Sequence, residues 1–237
     1  MNDDLIARRK RLLGPHVTTF YETPLHLARG EGAWLWDTDG RRYLDCYNNV
    51  AHVGHCHPRV VEAIARQAAT LNTHTRYVHD TILEYGERLT GHFGHGLSSM
   101  VMVCSGSEAN DVALRIAQAA SGNTGIIGTD NTYHGNTAAV SQLNARKPPV
   151  GGYRDHVRQI PAPDNLHPIG GSRAAQEEAF YAATETAISE LQASGHGAGA
   201  LILCPYFANE GFPTLEAGFL DRAVAAVHRA GGLVIAD

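Results

Sequence analysis

The turn Ser105-Gly106-Ser107 is the segment whose residue types point most directly to ligand chemistry. An apolar run, Val101 to Cys104, precedes it, and residues with a helical apolar period follow from Glu108. A strand, turn and helix in this order would direct free backbone N–H groups, the helix dipole and the Ser107 hydroxyl at one point, which suits a phosphate dianion. A Ser-x-x-Glu capping motif explains the serines without a ligand, and for the turn taken alone it is the favoured interpretation.

Three further polar segments follow apolar runs that read as strands. They are the loop Asp130 to Gly135, which contains Tyr133 and His134, the loop Pro205 to Gly211, and the final residue Asp237. In open α/β sheets ligands bind beyond the carboxyl ends of the strands, so we expect these segments and the Ser-Gly-Ser turn to border one crevice. Taken singly, a tyrosine at a strand exit usually packs, and an aspartate at a strand end often caps a helix.

The segment His52-Val53-Gly54-His55-Cys56-His57 holds four possible metal ligands within six residues. A structural zinc site normally takes two more ligands from a second segment at defined spacing, and no matching Cys/His pair follows. We therefore expect no metal here and favour a turn whose imidazoles bond to the backbone.

The elements that must position these residues follow from periodicity. An Asp-Gly turn between Trp34–Asp37 and Arg42–Asp45 predicts a hairpin, and Pro58 begins a predicted helix. From about residue 96, short apolar runs alternate with helical periods, which indicates βαβ units and a parallel sheet. The predicted fold class is α/β, a mostly parallel sheet with flanking helices, in a domain 96–237 preceded by a small α+β lobe, 1–95. The proline-rich stretch Arg146 to Gly171 is predicted to be a long irregular crossover.

Composition excludes several classes of protein. The chain has 237 residues, a formal charge of −5 and 43% hydrophobic residues, so it can bury a large core, and we expect a folded protein. The net charge is negative and the basic residues form no stripe that could bind nucleic-acid phosphates. No apolar run is long enough to span a membrane. Its four cysteines show no CxxC pair or disulfide spacing. We expect a cytoplasmic protein with neither nucleic-acid nor membrane partners.

Several motifs together resemble the class III aminotransferases, a fold-type I family that uses pyridoxal 5'-phosphate. They are SGSEAND before an alanine-rich helix, TYHG in a downstream loop, and GGLVIAD at the end. The stretches NNVAHVGHCHP and LNTHTRYVHD are similar to the ethanolamine-phosphate and phosphohydroxylysine phospho-lyase branch of that family. That branch has no metal at its histidine-rich stretch, which agrees with the expectation above.

The resemblance implies a role for each candidate residue. Gly106 and Ser107 match the turn that binds the cofactor phosphate, and Tyr133 matches the aromatic residue that stacks on the ring, with His134 beside it. Asp237 matches the carboxylate that keeps the pyridine nitrogen protonated. Catalysis is assigned to Asp237 and Tyr133, and the family implies a homodimer. Arg76 is the candidate for a substrate phosphate because a planar guanidinium suits bidentate binding, and Asn49 is the second candidate.

Two departures from the family pattern matter. Cys204-Pro205 stands where the family typically has Glu-Pro, and Glu210 is the possible substitute. The Schiff-base lysine of the family lies downstream of the aspartate, whereas the only lysines here are Lys10 and Lys147. We expect a fragment of a longer protein.

Three functions remain open. The first is a pyridoxal-phosphate phospho-lyase acting on a small phosphorylated amine, or amino acid, such as O-phosphoethanolamine. The second is an ω-aminotransferase that uses a 2-oxo acid. The third, favoured for the chain as it stands, is a non-catalytic fragment with a partial cofactor pocket.

Overall fold

The computed structural model describes residues 3–19, 21–47, 49–94, 96–144 and 148–237. The chain divides into two compact units, Met1–Glu84 and Tyr85–Asp237. The division lies inside a helix, eleven residues before the domain boundary expected from the sequence.

The first unit contains a three-stranded antiparallel sheet and helices. Its elements are α1 (Asp3–Leu13), β1 (Leu27–Glu31), β2 (Trp34–Asp37), β3 (Arg42–Leu44), α2 (Pro58–Thr70) and the start of α3 (Asp80–Thr90). The sheet order is β1-β2-β3, so the predicted hairpin is confirmed. Its turn is closed by the Asp37 carboxylate, which accepts hydrogen bonds from the backbone N–H groups of Asp39 and Arg41. Gly40 has φ +83°, a left-handed conformation that glycine adopts without strain.

The second unit is an α/β structure built on a four-stranded sheet. After α3 come α4 (Gly106–Ser121), β4 (Gly125–Thr129), β5 (Val157–Ile160), α5 (Arg173–Ala193), β6 (Ala198–Leu203), α6 (Asp221–Arg229) and β7 (Leu233–Ala236). All neighbouring strands are parallel, in the order β5-β4-β6-β7. The carboxyl ends of these strands therefore share one edge.

Two apolar layers cover the faces of this sheet. On one face Ile127 and Leu201 pack with α5 and α6 residues such as Phe180, and all three side chains are fully buried. On the other face Ile126 and Ile202 pack with Leu114 of α4 and Leu143. Adjacent residues of one strand thus enter opposite layers, which is why the central strands are apolar throughout.

Two predictions about the sheet are wrong. The run Val101–Cys104 is not a strand, and Val101 and Met102 are 66% and 52% exposed. Apolar β-branched composition cannot make a strand without a neighbouring backbone to pair with, and β5 and β7 form the edges of the sheet. The predicted irregular crossover, in turn, contains β5, which pairs with β4.

The buried side of α4 also differs from the apolar stripe in the sequence. The stripe runs through Val112 and Ile116, yet Ile116 is 53% exposed. The buried residues of α4 are Asn110, Leu114 and Ala117. An asparagine therefore occupies the inner face, and its amide must be satisfied there by hydrogen bonds.

None of the helices in the described ranges combines the length and the apolar character needed to cross a bilayer.

Candidate active site

The N-terminus of α4 leaves backbone donors free at the carboxyl edge of the sheet. Ser105 is the N-cap residue, and its hydroxyl accepts a hydrogen bond from the Glu108 N–H at 3.2 Å. Glu108 in turn accepts from the Cys104 N–H at 2.8 Å, so the expected capping motif is present. Among the described residues, the N–H groups of Gly106 and Ser107 have no acceptor, as is usual for the first turn of a helix.

Ser107 takes no part in capping. Its Oγ accepts a hydrogen bond from the Asn136 N–H at 3.0 Å, which ties the start of α4 to the loop after β4. Gly135 makes this approach possible, because a Cβ there would lie 2.5 Å from Ser107 Oγ. The Ser107 hydroxyl accepts this bond and keeps its own hydrogen available to a ligand. The structure therefore separates the two serines: Ser105 caps, and Ser107 remains a donor.

Tyr133 lies in the same loop and is 49% exposed. Its hydroxyl oxygen accepts a hydrogen bond from Asn136 Nδ2 at 2.8 Å. An exposed aromatic side chain fixed at its hydroxyl end can present its ring to a planar ligand.

His134 is buried, with no exposed side-chain surface. Its Nδ1 lies 2.7 Å from Asp237 Oδ2 and its Nε2 lies 3.0 Å from Thr132 Oγ1. Both ring nitrogens are thus engaged by protein groups, so His134 contacts Asp237 and has no nitrogen left for a ligand. His134 is thus held between Asp237 and Thr132, and its assignment to the cofactor site stays a prediction.

Asp237 is held as a carboxylate. Burial raises its pKa, but hydrogen bonds from His134 and Asn110 and the charge of His134 outweigh that effect, so the pKa lies below its ordinary value. The Asp237 N–H donates to the Leu203 carbonyl at 3.0 Å, which fixes the backbone beside β6. An anchored anion that is 30% exposed can hold a protonated nitrogen.

Glu210 lies in the loop after β6. Its Oε1 accepts a hydrogen bond from the buried Thr129 hydroxyl at 2.7 Å, at the end of β4. Its Oε2 is buried and has no partner among the described residues. The carboxylate that the sequence suggested as a substitute for the missing family glutamate therefore lies inside the protein, bound to Thr129.

Asn49 and Arg76 belong to the first unit. Asn49 Nδ2 lies 3.0 Å from each carboxylate oxygen of Asp45, and His55 Nε2 lies 2.6 Å from Asp45 Oδ2. The hydrogen bond from Asn49, and after it the one from His55, lower the pKa of Asp45. Desolvation acts in the opposite direction and is outweighed. The Asn49 amide thus donates to the Asp45 carboxylate, and its role toward a substrate phosphate stays a prediction. In the described part of the chain, the Arg76 guanidinium forms no ion pair, with Asp80 or any other acid.

The histidine-rich stretch forms hydrogen bonds of its own. His55 bonds to Asp45 and pairs through its backbone with Gly32. His57 Nδ1 is buried and has no hydrogen-bond partner among the residues that the structure describes. Across the described ranges, no three His, Cys, Asp or Glu side chains come together as a metal site.

Four residues that sequence reasoning missed complete the site. Asn110 Nδ2 donates to the His134 carbonyl at 2.9 Å, and Asn144 Nδ2 donates to the Gly135 carbonyl at 2.8 Å. Thr132 and Asn136 have the contacts given above. Asn110 and Thr132 lie inside the recognised motifs SGSEAND and TYHG, which was the available signal. Asn136 directly follows TYHG, and Asn144 lies in no recognised motif.

The sequence profile of the aminotransferase class-III family matches residues 18–237. An alanine–glyoxylate aminotransferase 2-like protein of Drosophila melanogaster is 38% identical over 245 residues, which cover 99% of this chain and 49% of that protein. The ethanolamine-phosphate phospho-lyase homolog 1 of Caenorhabditis elegans is 34% identical over 188 residues, 76% of this chain and 40% of that protein.

A solved phospholyase from Arthrobacter, in complex with phosphoethanolamine, superposes with a TM-score of 0.92 and 41% identity. The match covers 99% of this chain and 56% of that one. The chain spans about half the length of the relatives it matches. The parallel sheet, its helices and the family profile agree with the fold-type I architecture expected from the motifs: the chain belongs to the aminotransferase class-III family.

Proposed function

We propose that the protein carrying this sequence is a pyridoxal-phosphate-dependent phospho-lyase that eliminates phosphate from a phosphorylated amine such as O-phosphoethanolamine. The observation that carries the proposal is the likeness to the Arthrobacter phospholyase, which extends over 99% of the chain at 41% identity. Fold alone would not support a reaction, because one fold hosts many activities.

The residues of the second unit fit pyridoxal 5'-phosphate. The free N–H groups of Gly106 and Ser107, with the Ser107 hydroxyl, would hold the phosphate at the positive end of α4. The partly exposed ring of Tyr133 would cover one face of the pyridine ring. When bound, the cofactor supplies a sink for the electron pair released at the substrate carbon.

Asp237 would hold a proton on the pyridine nitrogen of the cofactor. Its lowered pKa means that the carboxylate is ionised at neutral pH, so it would stabilise a positive charge on that nitrogen. His134 holds the carboxylate in place from behind.

The reaction balances without an external oxidant. The substrate loses a proton from the carbon that bears nitrogen, and the electron pair left there forms a double bond to the neighbouring carbon. The C–O bond of that neighbouring carbon breaks, and inorganic phosphate leaves with the electron pair of the C–O bond. Hydrolysis of the remaining nitrogen-bearing product then gives an aldehyde and ammonia.

Arg76 is the proposed binding group for the phosphate that leaves. Its guanidinium has no ion pair among the residues that the structure describes, so its charge is available. A bidentate contact with a phosphate fits its planar donor geometry.

The second candidate is an aminotransferase that uses a 2-oxo acid acceptor. The name of the Drosophila relative, 38% identical over 99% of the chain, favours it. The cofactor residues do not discriminate between the two reactions, because both begin with proton loss from the same carbon.

The decisive experiment supplies the full-length protein with pyridoxal phosphate and O-phosphoethanolamine but no oxo acid. A lyase releases equal amounts of phosphate and aldehyde. Absence of phosphate release, with turnover of unphosphorylated amines restored by a 2-oxo acid, would establish the aminotransferase instead.

Arg76→Ala tests the substrate site separately. We expect phosphate release to fall roughly tenfold to a hundredfold, the scale of one lost charge-assisted contact, while cofactor affinity stays unchanged. Arg66→Ala is the matched control, since Arg66 is an exposed arginine paired with Glu62 on its own helix. Equal effects of the two variants would remove Arg76 from the site.

The homodimer and the cytoplasmic location stay predictions. Analytical ultracentrifugation of the full-length protein tests the first, and fractionation of its source cells tests the second.

A further inference from the structure

Asn136 donates two hydrogen bonds to two hydroxyl groups of the candidate site. Its backbone N–H donates to Ser107 Oγ at 3.0 Å, and its side-chain Nδ2 donates to Tyr133 Oη at 2.8 Å. A single residue therefore links the first turn of α4 to the exposed aromatic ring.

The direction of these bonds decides what the hydroxyls can offer a ligand. Each oxygen uses a lone pair to accept from Asn136, so each hydroxyl hydrogen remains free to donate. A hydroxyl that already accepts a hydrogen bond is polarised and becomes a better donor. Ser107 and Tyr133 are thus both prepared as donors.

The backbone beside Asn136 is fixed by its neighbours. Gly135 has φ +135° and lies so close to Ser107 that a Cβ would be 2.9 Å from the serine Cβ and closer still to its Oγ. Asn144 holds the Gly135 carbonyl at 2.8 Å, and Asn110 holds the His134 carbonyl at 2.9 Å. The backbone that precedes Asn136 is therefore held in place by hydrogen bonds from two buried asparagines.

We propose that Asn136 is a positioning residue that directs the hydroxyls of Ser107 and Tyr133 toward one phosphate monoester dianion at the N-terminus of α4. Tyr133 then contributes a hydrogen-bond donor in addition to its ring face. The inference rests on the cofactor site of the proposed function, but it holds equally for a lyase and for an aminotransferase.

The test is a double-mutant cycle on the binding of pyridoxamine 5'-phosphate, which has no aldehyde and needs no lysine. Calorimetry measures the affinity of the wild-type chain, Asn136→Ala, Tyr133→Phe and the double variant. Asn136→Ala keeps the backbone bond to Ser107 and removes only the bond to Tyr133. We expect it to weaken binding about tenfold in the wild type and less than about twofold when Tyr133 is already Phe.

Two comparisons separate positioning from a structural effect. Pyridoxamine, which lacks the phosphate, should bind the wild type and Asn136→Ala equally. Asn136→Asp, which replaces the donor by a charged acceptor, should bind pyridoxamine 5'-phosphate more weakly than Asn136→Ala, whereas Asn131→Asp, the same charge change in the same loop, should have a much smaller effect. Asn131 makes no side-chain hydrogen bond within the described residues.

Additive losses in the cycle, or an equal loss for pyridoxamine, would overturn the role of Asn136 while leaving the cofactor site intact. A wild-type chain that does not bind pyridoxamine 5'-phosphate would overturn the cofactor site itself. Thermal unfolding of each variant shows whether a loss of binding is a loss of folding, and Tyr133→Phe alone still tests the hydroxyl if Asn136→Ala unfolds.

Discussion

At the residue scale, the contacts of His134 define the electrostatics of the site. A carboxylate only accepts hydrogen bonds, so the short contact requires a proton on His134 Nδ1, and the Thr132 hydroxyl can donate to Nε2. His134 therefore supports the Asp237 carboxylate directly.

Replacing His134 should raise the pKa of Asp237. In His134→Ala the hydrogen bond and the charge that lower this pKa are lost, while burial continues to raise it. The stabilisation that ionised Asp237 gains from these interactions is present above the ordinary aspartate value of 3.8 and is lost as the pH falls through the lowered pKa. A ¹³C NMR titration of labelled aspartate measures the shift.

His167→Ala is the control for that titration. His167 is an exposed histidine that lies 3.5 Å from the Asp164 carboxylate, and its removal should leave the Asp237 curve unchanged. An unchanged Asp237 curve in His134→Ala would show that the pair does not set the pKa.

The second residue-scale prediction concerns Asp45. Its pKa lies below 3.8, chiefly because of hydrogen bonds from Asn49 and His55, so its contribution to stability is present at neutral pH and is lost as the pH falls through the lowered value. Asp45→Asn should lower the thermal stability at pH 7 and flatten the stability profile below pH 4. Asp39→Asn, at an exposed turn residue, is the matched control, and a wild-type profile in Asp45→Asn would contradict the prediction.

At the element scale, the N-terminus of α4 combines a capping residue with free backbone donors. The Ser105 hydroxyl accepts a hydrogen bond from the Glu108 N–H, and the Glu108 carboxylate accepts one from the Cys104 N–H. The N–H groups of Gly106 and Ser107 have no acceptor among the described residues. A helix N-terminus with free donors attracts an anion through both hydrogen bonds and the dipole. The capping residue and the free donors are therefore different residues of the same turn.

Substitution of the two serines of this turn should affect different properties, stability for Ser105 and ligand affinity for Ser107. Ser105→Ala should lower the free energy of unfolding by about 1 kcal/mol, the usual effect of losing an N-cap, with little change in the affinity for pyridoxamine 5'-phosphate. Ser107→Ala should reduce that affinity roughly tenfold to a hundredfold. Chemical denaturation and calorimetry measure the two quantities, and unchanged affinity in Ser107→Ala would remove it from the phosphate site.

At the scale of the whole molecule, the parallel sheet decides where the site lies. The loop after β4, the loop after β6 and Asp237 after β7 all leave the same edge because the strands run in one direction. Lys10 lies in α1 of the first unit, and Lys147 lies outside the described residues.

The chain as given should therefore form no stoichiometric covalent adduct with pyridoxal phosphate. Incubation with the cofactor, borohydride reduction and peptide mapping should show at most scattered, substoichiometric labelling of lysine. One fully labelled lysine together with turnover would overturn this prediction.

The sequence alone determined the parts of this protein that depend on local pattern. Helical and strand periodicity identified α2, α4, β4, β6 and β7, because each has enough apolar residues in its own segment to indicate its structure. The direction of parallel strands then placed Tyr133 and Asp237 near one edge, and the motifs pointed to the family that the profile match confirms.

Only the tertiary structure decided how those residues bond. The contacts His134 to Asp237, Ser107 to Asn136 and Asn110 to His134 join residues 103, 29 and 24 positions apart, and no local period encodes them. The same reason explains the two errors in the sheet. Val157–Ile160 is a strand because its backbone pairs with β4, whereas Val101–Cys104 pairs with no strand and is not one. Hydrogen bonding between strands and between buried polar groups is satisfied by neighbours in space, which a linear sequence does not display.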